Sequence, residues 1–495
     1  MSLHLPILIV AAPLLGAAAV ALAGFASARL VRLLTLGILA ASTALAGWAL
    51  REAVAAGPLR YTFGGWPPPW GIEYVVDPLS GGMAFLVVAF ALLAAVYAGP
   101  YVADLRAQNS GIFHAVYLLL VSGLAGMVLT GDMFNLYVFL EISSLSAYAL
   151  VALGGDRSIV ASYRYLLIGT VAGSLYLLGL GYLYGVTGTL NMADLAVRLP
   201  ELQGSPGVTV AVVLMVVGLA TKMGLFPLHG WLPDVYTYAP APVTGFIAGV
   251  MTKVSAYALV RILFFVLPPG GIVADALTVL AWAGGVAILA GSVMALAQSD
   301  VRRMLAYSSI GQMGYIVLGL AIGTPLALTG ALLHMLNHAV MKSCLFLVAG
   351  GVYFQKGARD VAAYDGVARR LPITMAAFVL AAASMVGLPP TGGFFSKWYL
   401  LLGAIDARAW LAVVALVLSS LLTAVYLFRI IERAYLHQAP APPDPAVSSA
   451  GRLELPAEML GPIVLLGVAV LLLGLFNQSI VEHVLTLALP AHGGR

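Results

Sequence analysis

Apolar residues along this chain fall into long blocks, and polar or charged residues collect in short stretches between them. A hydrocarbon core of about 30 Å takes about 20 apolar residues per helix. On that scale the pattern predicts fourteen membrane spans, at 3–24, 31–50, 79–101, 112–130, 133–152, 160–185, 208–226 (continuing near 231–240), 243–266, 276–297, 303–323, 326–353, 372–388 (continuing over 391–403), 410–434 and 460–481. Most connections are short. The exceptions are 51–78, with Trp-Pro-Pro-Pro-Trp at 66–70, and 436–459, with Ala-Pro repeats at 439–443; both read as surface connections. Two spans are interrupted. Pro227 lacks a backbone donor and is expected to break span 7, with Pro390 as its counterpart in span 12.

Composition sharpens this picture. Of 495 residues, 62% are apolar and only 9% charged, with a mean hydropathy of +1.01, whereas a soluble domain carries about 25% charged residues. Too few polar groups exist to cover a water-exposed surface, so the predicted fold class is an all-α polytopic membrane protein in the lipid bilayer. The net charge of +4 is scattered, and no basic run suggests nucleic acid. The single cysteine, Cys344, excludes an internal disulfide and any cysteine-based metal cage, and reads as a small packing residue. No phosphate-binding Gly-Lys-Ser/Thr, haem-attachment or iron–sulfur pattern is present, so no cofactor is expected. The first apolar block precedes Ala-Ser-Ala at 26–28 but lacks the basic start of a signal peptide, and reads as a retained span.

Charge then gives sidedness. Odd-numbered loops carry 14 Lys and Arg residues against 6 in even-numbered loops and the C-terminus. By the positive-inside rule the odd loops are cytoplasmic and both termini lie outside, in the cell (plasma) membrane. The chain has 24 Lys and Arg, and the remaining four are all lysines inside spans: Lys222, Lys253, Lys342 and Lys397. Arginine stays protonated, whereas a lysine taken out of water can release its proton. Of 20 acidic residues only Glu141 lies well within a span.

Each charge at mid-membrane costs about 2.5–3.5 kcal/mol on insertion scales, so such residues are functional candidates by default. Glu141 can offset one lysine at a time. Lys222, beside the break in span 7, is its expected partner, and Lys253 is a competitor or the next proton holder; a static pair fixing helix register is the alternative. In span 11, His334, His338 and Lys342 recur every four residues and share a helix face. Without an acidic third ligand, the histidines suit a proton relay toward Lys342 better than a metal. Asn337 can orient His338 or pack against a neighbour. Lys397 follows the second break and suits the last holder before exit, with a snorkelling lysine as the alternative. His229, inside the first break, can bond freed carbonyls or gate a proton. Asp132 and Asp234 lie near span ends, where solvated turns are expected.

Gly-Leu-Phe-Pro-Leu-His-Gly-Trp at 224–231 returns as Gly-Leu-Pro-Pro-Thr-Gly-Gly-Phe at 387–394, five spans later. Five is odd, so the copies are expected to be inverted: spans 4–8 (residues 108–270) against spans 9–13 (271–435), with 1–107 contributing the first three helices and 436–495 a linker and the last. The charges of the two copies do not superpose: Lys397 falls opposite Asp234, and Lys222 opposite Met385.

These residues resemble a known family. Glu141 in span 5, T-K-M-G-L-F-P-L-H-G-W-L-P in span 7, M-T-K-V in span 8, H-x-x-x-H-x-x-x-K in span 11 and G-L-P-P-T-G-G-F-F-S-K-W in span 12 are similar to the antiporter-like membrane subunits of respiratory complex I and of Mrp-type sodium/proton antiporters. The resemblance implies a hydrated polar row through Glu141, Lys222, Lys253, His334, His338, Lys342 and Lys397, and partner membrane subunits. It also implies protons and Na+ as the transported ions. Within the family the chain looks most like the Mrp D subunit: it ends 14 residues after span 14 and carries lysine, not glutamate, in span 12. The expectation is therefore a proton-translocating subunit of an Mrp-type antiporter, with a complex I-type pumping module, or a related hydrogenase or carbon-uptake complex, as the alternative. A purely structural subunit is the third reading.

Overall fold

Several helices of the computed structural model begin at a side-chain cap. The structure describes residues 4–103, 105–438 and 454–489. Arg452, Arg495 and the Ala-Pro repeats of 439–443 lie outside the described residues. Among the described residues, twelve helices are long and apolar enough to cross a membrane. They are α1 (Leu5–Ala23), α2 (Ala28–Ala56), α3 (Pro78–Tyr97), α4 (Ala107–Leu129), α5 (Met133–Ala152), α6 (Asp156–Thr187), α8 (Ala241–Val266), α9 (Gly271–Leu296), α10 (Val301–Ile322), α11 (Pro325–Lys356), α13 (Trp410–Leu436) and α14 (Ala457–Leu475). The other two predicted spans are shorter apolar helices, α7 (Pro206–Lys222) and α12 (Pro372–Val386), each followed by a second helical segment, Leu232–Tyr238 and Gly392–Asp406. The protein is a mostly helical, multi-pass membrane protein.

Asp132 accepts from the amide of Asn135 at 2.7 Å and starts α5, Asp300 does the same from Arg303 at 3.0 Å for α10, and Asp77 and Ser80 cap α3 reciprocally at 2.8 Å. Asp132 thus caps a helix. Asp234 does more than face solvent: it binds Arg164 of α6 at 2.9 Å and Arg303 of α10 at 3.1 Å, tying down the segment after the first break.

Three departures from the sequence reading stand out. The 51–78 connection contains an antiparallel hairpin, β1 (Leu59–Thr62) and β2 (Glu73–Val76), with Tyr61 opposite Tyr74. Its Glu73 is buried, accepting from Arg60 at 2.9 Å and Asn191 at 3.0 Å, so the fold is not purely helical and this loop is not merely surface. The last span ends at Leu475, followed by a separate turn at Asn477–Ile480. The breaks begin before their prolines. α7 stops at Lys222, where Gly224 takes φ +68 and the Leu225 amide reaches back to Ala220 O at 3.0 Å. α12 stops likewise at Gly387, φ +96, with Leu388 N on Ala383 O at 2.9 Å. A left-handed glycine after the last turn is a helix stop in its own right, so Gly224 and Gly387 end the helices and the prolines keep them from resuming.

Apolar faces cannot drive helix pairing in lipid, so close approach rests on small residues. A Cβ added at Gly291 of α9 would stand 2.5 Å from the Gly311 amide of α10, and one at Gly314 would stand 2.7 Å from Gly284 O. α8, α10 and α11 are the most enclosed of the long helices. They carry Gln312 and four of the seven ionisable candidates, Lys253, His334, His338 and Lys342, all buried among helices.

Candidate functional site

Glu141, Ser144 and Tyr148 are spaced three and four residues apart and share one face of α5. Lys222, in the last turn of α7, meets that face. Its Nζ stands 3.6 Å from Glu141 Oε1, donates to Ser144 Oγ at 2.7 Å and lies 3.4 Å from Tyr148 OH. The lysine side chain is 3% exposed and the glutamate 26%, so the pair has one enclosed and one accessible member. Because α7 ends here, the ammonium also sits at the negative end of a helix dipole. Two glycines of α6 make room: a Cβ at Gly173 would come 2.2 Å from Glu141 Oε1, and one at Gly169 would come 1.9 Å from Tyr148 OH.

The carbonyl freed at this break is not left to the lysine. Trp231 donates Nε1–H to Thr221 O at 2.9 Å and stacks on Tyr165 at 4.2 Å, and Tyr165 meets Tyr148 edge-on at 4.5 Å. His229 stacks on Phe226 at 5.0 Å, and its Nδ1 is buried without a hydrogen bond. Thr221 O also accepts from the Gly224 amide at 3.1 Å, so Trp231 and the backbone share it.

Lys253 does not reach Glu141. It is fully buried in α8, and its Nζ donates to Ala248 O, within a π-helical turn at Ile247–Met251. Such turns widen the helix and misalign its ladder, leaving carbonyls able to accept from side chains. In α11, His334 is held on both sides, Nδ1 against Ser396 Oγ at 2.9 Å and Nε2 against Gln312 Oε1 at 2.9 Å. His338 lies parallel to His334, ring centroids 5.9 Å apart, and both of its ring nitrogens are buried without a partner. Lys342 donates to Leu305 O at 2.8 Å and Ser308 Oγ at 2.9 Å. Asn337 binds Gly392 O at 2.7 Å, so of its two readings the structure takes packing against a neighbour: it holds the start of the segment after the second break.

Lys397 closes that second break. Its Nζ donates to Met385 O at 2.7 Å, Val386 O at 3.2 Å and Ser420 Oγ at 3.1 Å, and sits 4.9 Å above the Tyr315 ring. Among the described residues only one lysine of the four therefore meets a carboxylate; the other three rest on backbone carbonyls. Sequence reasoning missed Ser144, Tyr148, Gln312 and Ser396. Gln312, an amide inside an apolar span, was a usable signal; serines and tyrosines are too common in such helices to be one.

A family model described as NADH:quinone oxidoreductase/Mrp antiporter, TM, matches residues 130–423. The chain belongs to that family. As a member of it, the chain is 58% identical to the NADH-quinone oxidoreductase subunit N of Desulforudis audaxviator (strain MP104C), over 99% of each chain. It is 34% identical to the D subunit of the Na(+)/H(+) antiporter of Alkalihalophilus pseudofirmus (strain ATCC BAA-2126 / JCM 17055 / OF4), over 86% of this chain and 84% of that one. A chain in the solved structure of the membrane-bound sulfane sulfur reductase, an archaeal respiratory membrane complex, matches with a TM-score of 0.90 at 30% identity, covering 98% of this chain and 97% of that one.

These relatives overturn the Mrp D expectation. It rested on one lysine in span 12 and on chain length, and neither outweighs similarity spread along the whole chain to a protein named as an oxidoreductase subunit. The relatives are subunits of multisubunit membrane complexes, which makes partner membrane subunits expected here too.

Proposed function

We propose that this chain is a proton-translocating, antiporter-like membrane subunit of a complex I-type NADH–quinone oxidoreductase. The observation that carries the reading is the near full-length similarity to an NADH-quinone oxidoreductase subunit N. In this reading redox energy released in partner subunits drives protons along the row of Glu141, Lys222, Lys253, His334, His338, Lys342 and Lys397. The 3.6 Å spacing of Glu141 and Lys222 supports a switch there: a proton arriving on either partner weakens the pair. His338, with both nitrogens free, is suited to accept and pass a proton through water.

The same proposal counts α7 and α12, each with its second segment, as full crossings, for fourteen in all. It pairs 108–270 with 271–435 as inverted repeats. The matching glycine stops at 224 and 387 support that pairing. The charge asymmetry of the loops supports odd loops inside and both termini outside.

Purifying the complex from its native membrane and identifying its subunits tests the assembly. Co-purifying flavin and iron–sulfur subunits are the expected result; a complex of small membrane proteins alone overturns the proposal.

A further inference from the structure

Helices α9 and α13 lie side by side and are joined where the Ser292 and Ser419 hydroxyls meet at 2.7 Å. Toward their N-terminal ends a groove of about 610 Å³ opens between them, lined by Trp282, Gly285 and Leu289 of α9 and by Trp410 and Val414 of α13, with Arg408 at its end. That volume is typical of a ligand cleft, about 300–1,000 Å³. Trp282 and Trp410 are 65% and 61% exposed, as expected of rings flanking a membrane–water boundary.

Arg408 is the unexpected member. It ends the segment Gly392–Asp406 with φ +54, and the Ala409 amide reaches back to Ala404 O at 2.8 Å, the arrangement that normally takes glycine. Among the described residues thirteen glycines adopt positive φ, and Arg408 is the one residue with a side chain to do so. Glycine would relieve the backbone at this position. Of the other arginines on the even-numbered loops, Arg60, Arg198 and Arg261 are ion-paired, and Arg51 has no ion pair among the described residues. Arg408 has neither an ion pair nor a side-chain hydrogen bond among the described residues. A charge without a partner thus stands at the mouth of an apolar groove between two tryptophans.

We propose that this groove holds one phospholipid of net negative charge, its acyl chain between α9 and α13 and its phosphate on Arg408. A guanidinium binds phosphate through paired N–H donors, whereas an apolar helix from a neighbouring subunit would fill the groove and leave the charge unmatched. The proposal goes beyond the transport reading and shares no residue with the proton row, so each can fail without the other.

Photolabelling of the intact complex tests it, using phosphatidylglycerol and phosphatidylcholine that carry a diazirine in the acyl chain. Phosphatidylglycerol is expected to label peptides of α9 and α13 at least about threefold more than phosphatidylcholine, in keeping with a charge-assisted contact, and R408A to level the two. Nothing lies within 4 Å of a Cβ at Gly285, so G285F adds a ring to the groove without moving the backbone and is expected to remove both labels. Equal labelling in the unaltered protein, a preference that survives R408A, or a neighbouring subunit cross-linked in the groove with no lipid label would overturn the proposal.

Discussion

The two helix breaks share a backbone and differ in what their lysines do. At the first, Trp231 covers the Thr221 carbonyl, which leaves Lys222 to face Glu141, Ser144 and Tyr148. At the second, Lys397 covers Met385 O and Val386 O itself, with no carboxylate paired to it among the described residues. The positions are not equivalent in sequence, yet both lysines end at the C-terminal end of a half-helix, where the dipole favours a cation. The contrast suggests a division of labour. A lysine freed from backbone duty can respond to a carboxylate's charge; one that satisfies two carbonyls is a fixed station whose loss is structural as well as electrostatic.

The largest effect should come from crowding the first break without touching its charges. Gly173→Val places a Cβ 2.2 Å from Glu141 Oε1, and proton translocation by the reconstituted complex should fall more than about tenfold, or ~1.4 kcal/mol of barrier. Gly181→Val, on the same helix with nothing within 4 Å, should stay within about twofold. Equal losses in both would remove the pair from the account.

Next comes Lys397→Met. Two carbonyls lose their donor, at about 1–3 kcal/mol each if left unsatisfied, so hydrogen exchange around 383–394 should accelerate and the complex should melt earlier. Lys222→Met should leave exchange at its own break near normal, since Trp231 remains. Trp231→Phe is the converse change. It should cost about 1 kcal/mol and loosen the first break, while translocation stays within about twofold. Ser420→Ala, which removes one of three acceptors from Lys397, should be smallest, at about 0.5–1.5 kcal/mol in stability.

Much of this was legible in the sequence, for physical reasons that also mark where legibility ended. Bilayer thickness fixes span length, so α5, for example, runs over Met133–Ala152 as the apolar block at 133–152 indicated. The buried lysines and Glu141 were conspicuous against an apolar background. Which face each side chain presents was not legible, because a membrane helix is apolar all round; Ser144, Tyr148 and Gln312 as partners, and Lys253 on a carbonyl rather than near Glu141, emerge only from packing. The hairpin was hidden because two four-residue strands carry little pattern, and Glu73 went unremarked with it. The breaks were legible as regions but were assigned to Pro227 and Pro390, when the glycines ahead of them stop the helices. The parent complex was misread because Lys397 and the chain length were made to carry more than either can.

The central claim is that Glu141 and Lys222 form a switch rather than a static pair. Glu141→Gln in the intact, reconstituted complex tests it most directly, with proton uptake measured against electron transfer in the same vesicles. The account predicts an assembled complex whose protons moved per electron fall, with translocation lowered at least about tenfold. An unchanged ratio at normal assembly would contradict it.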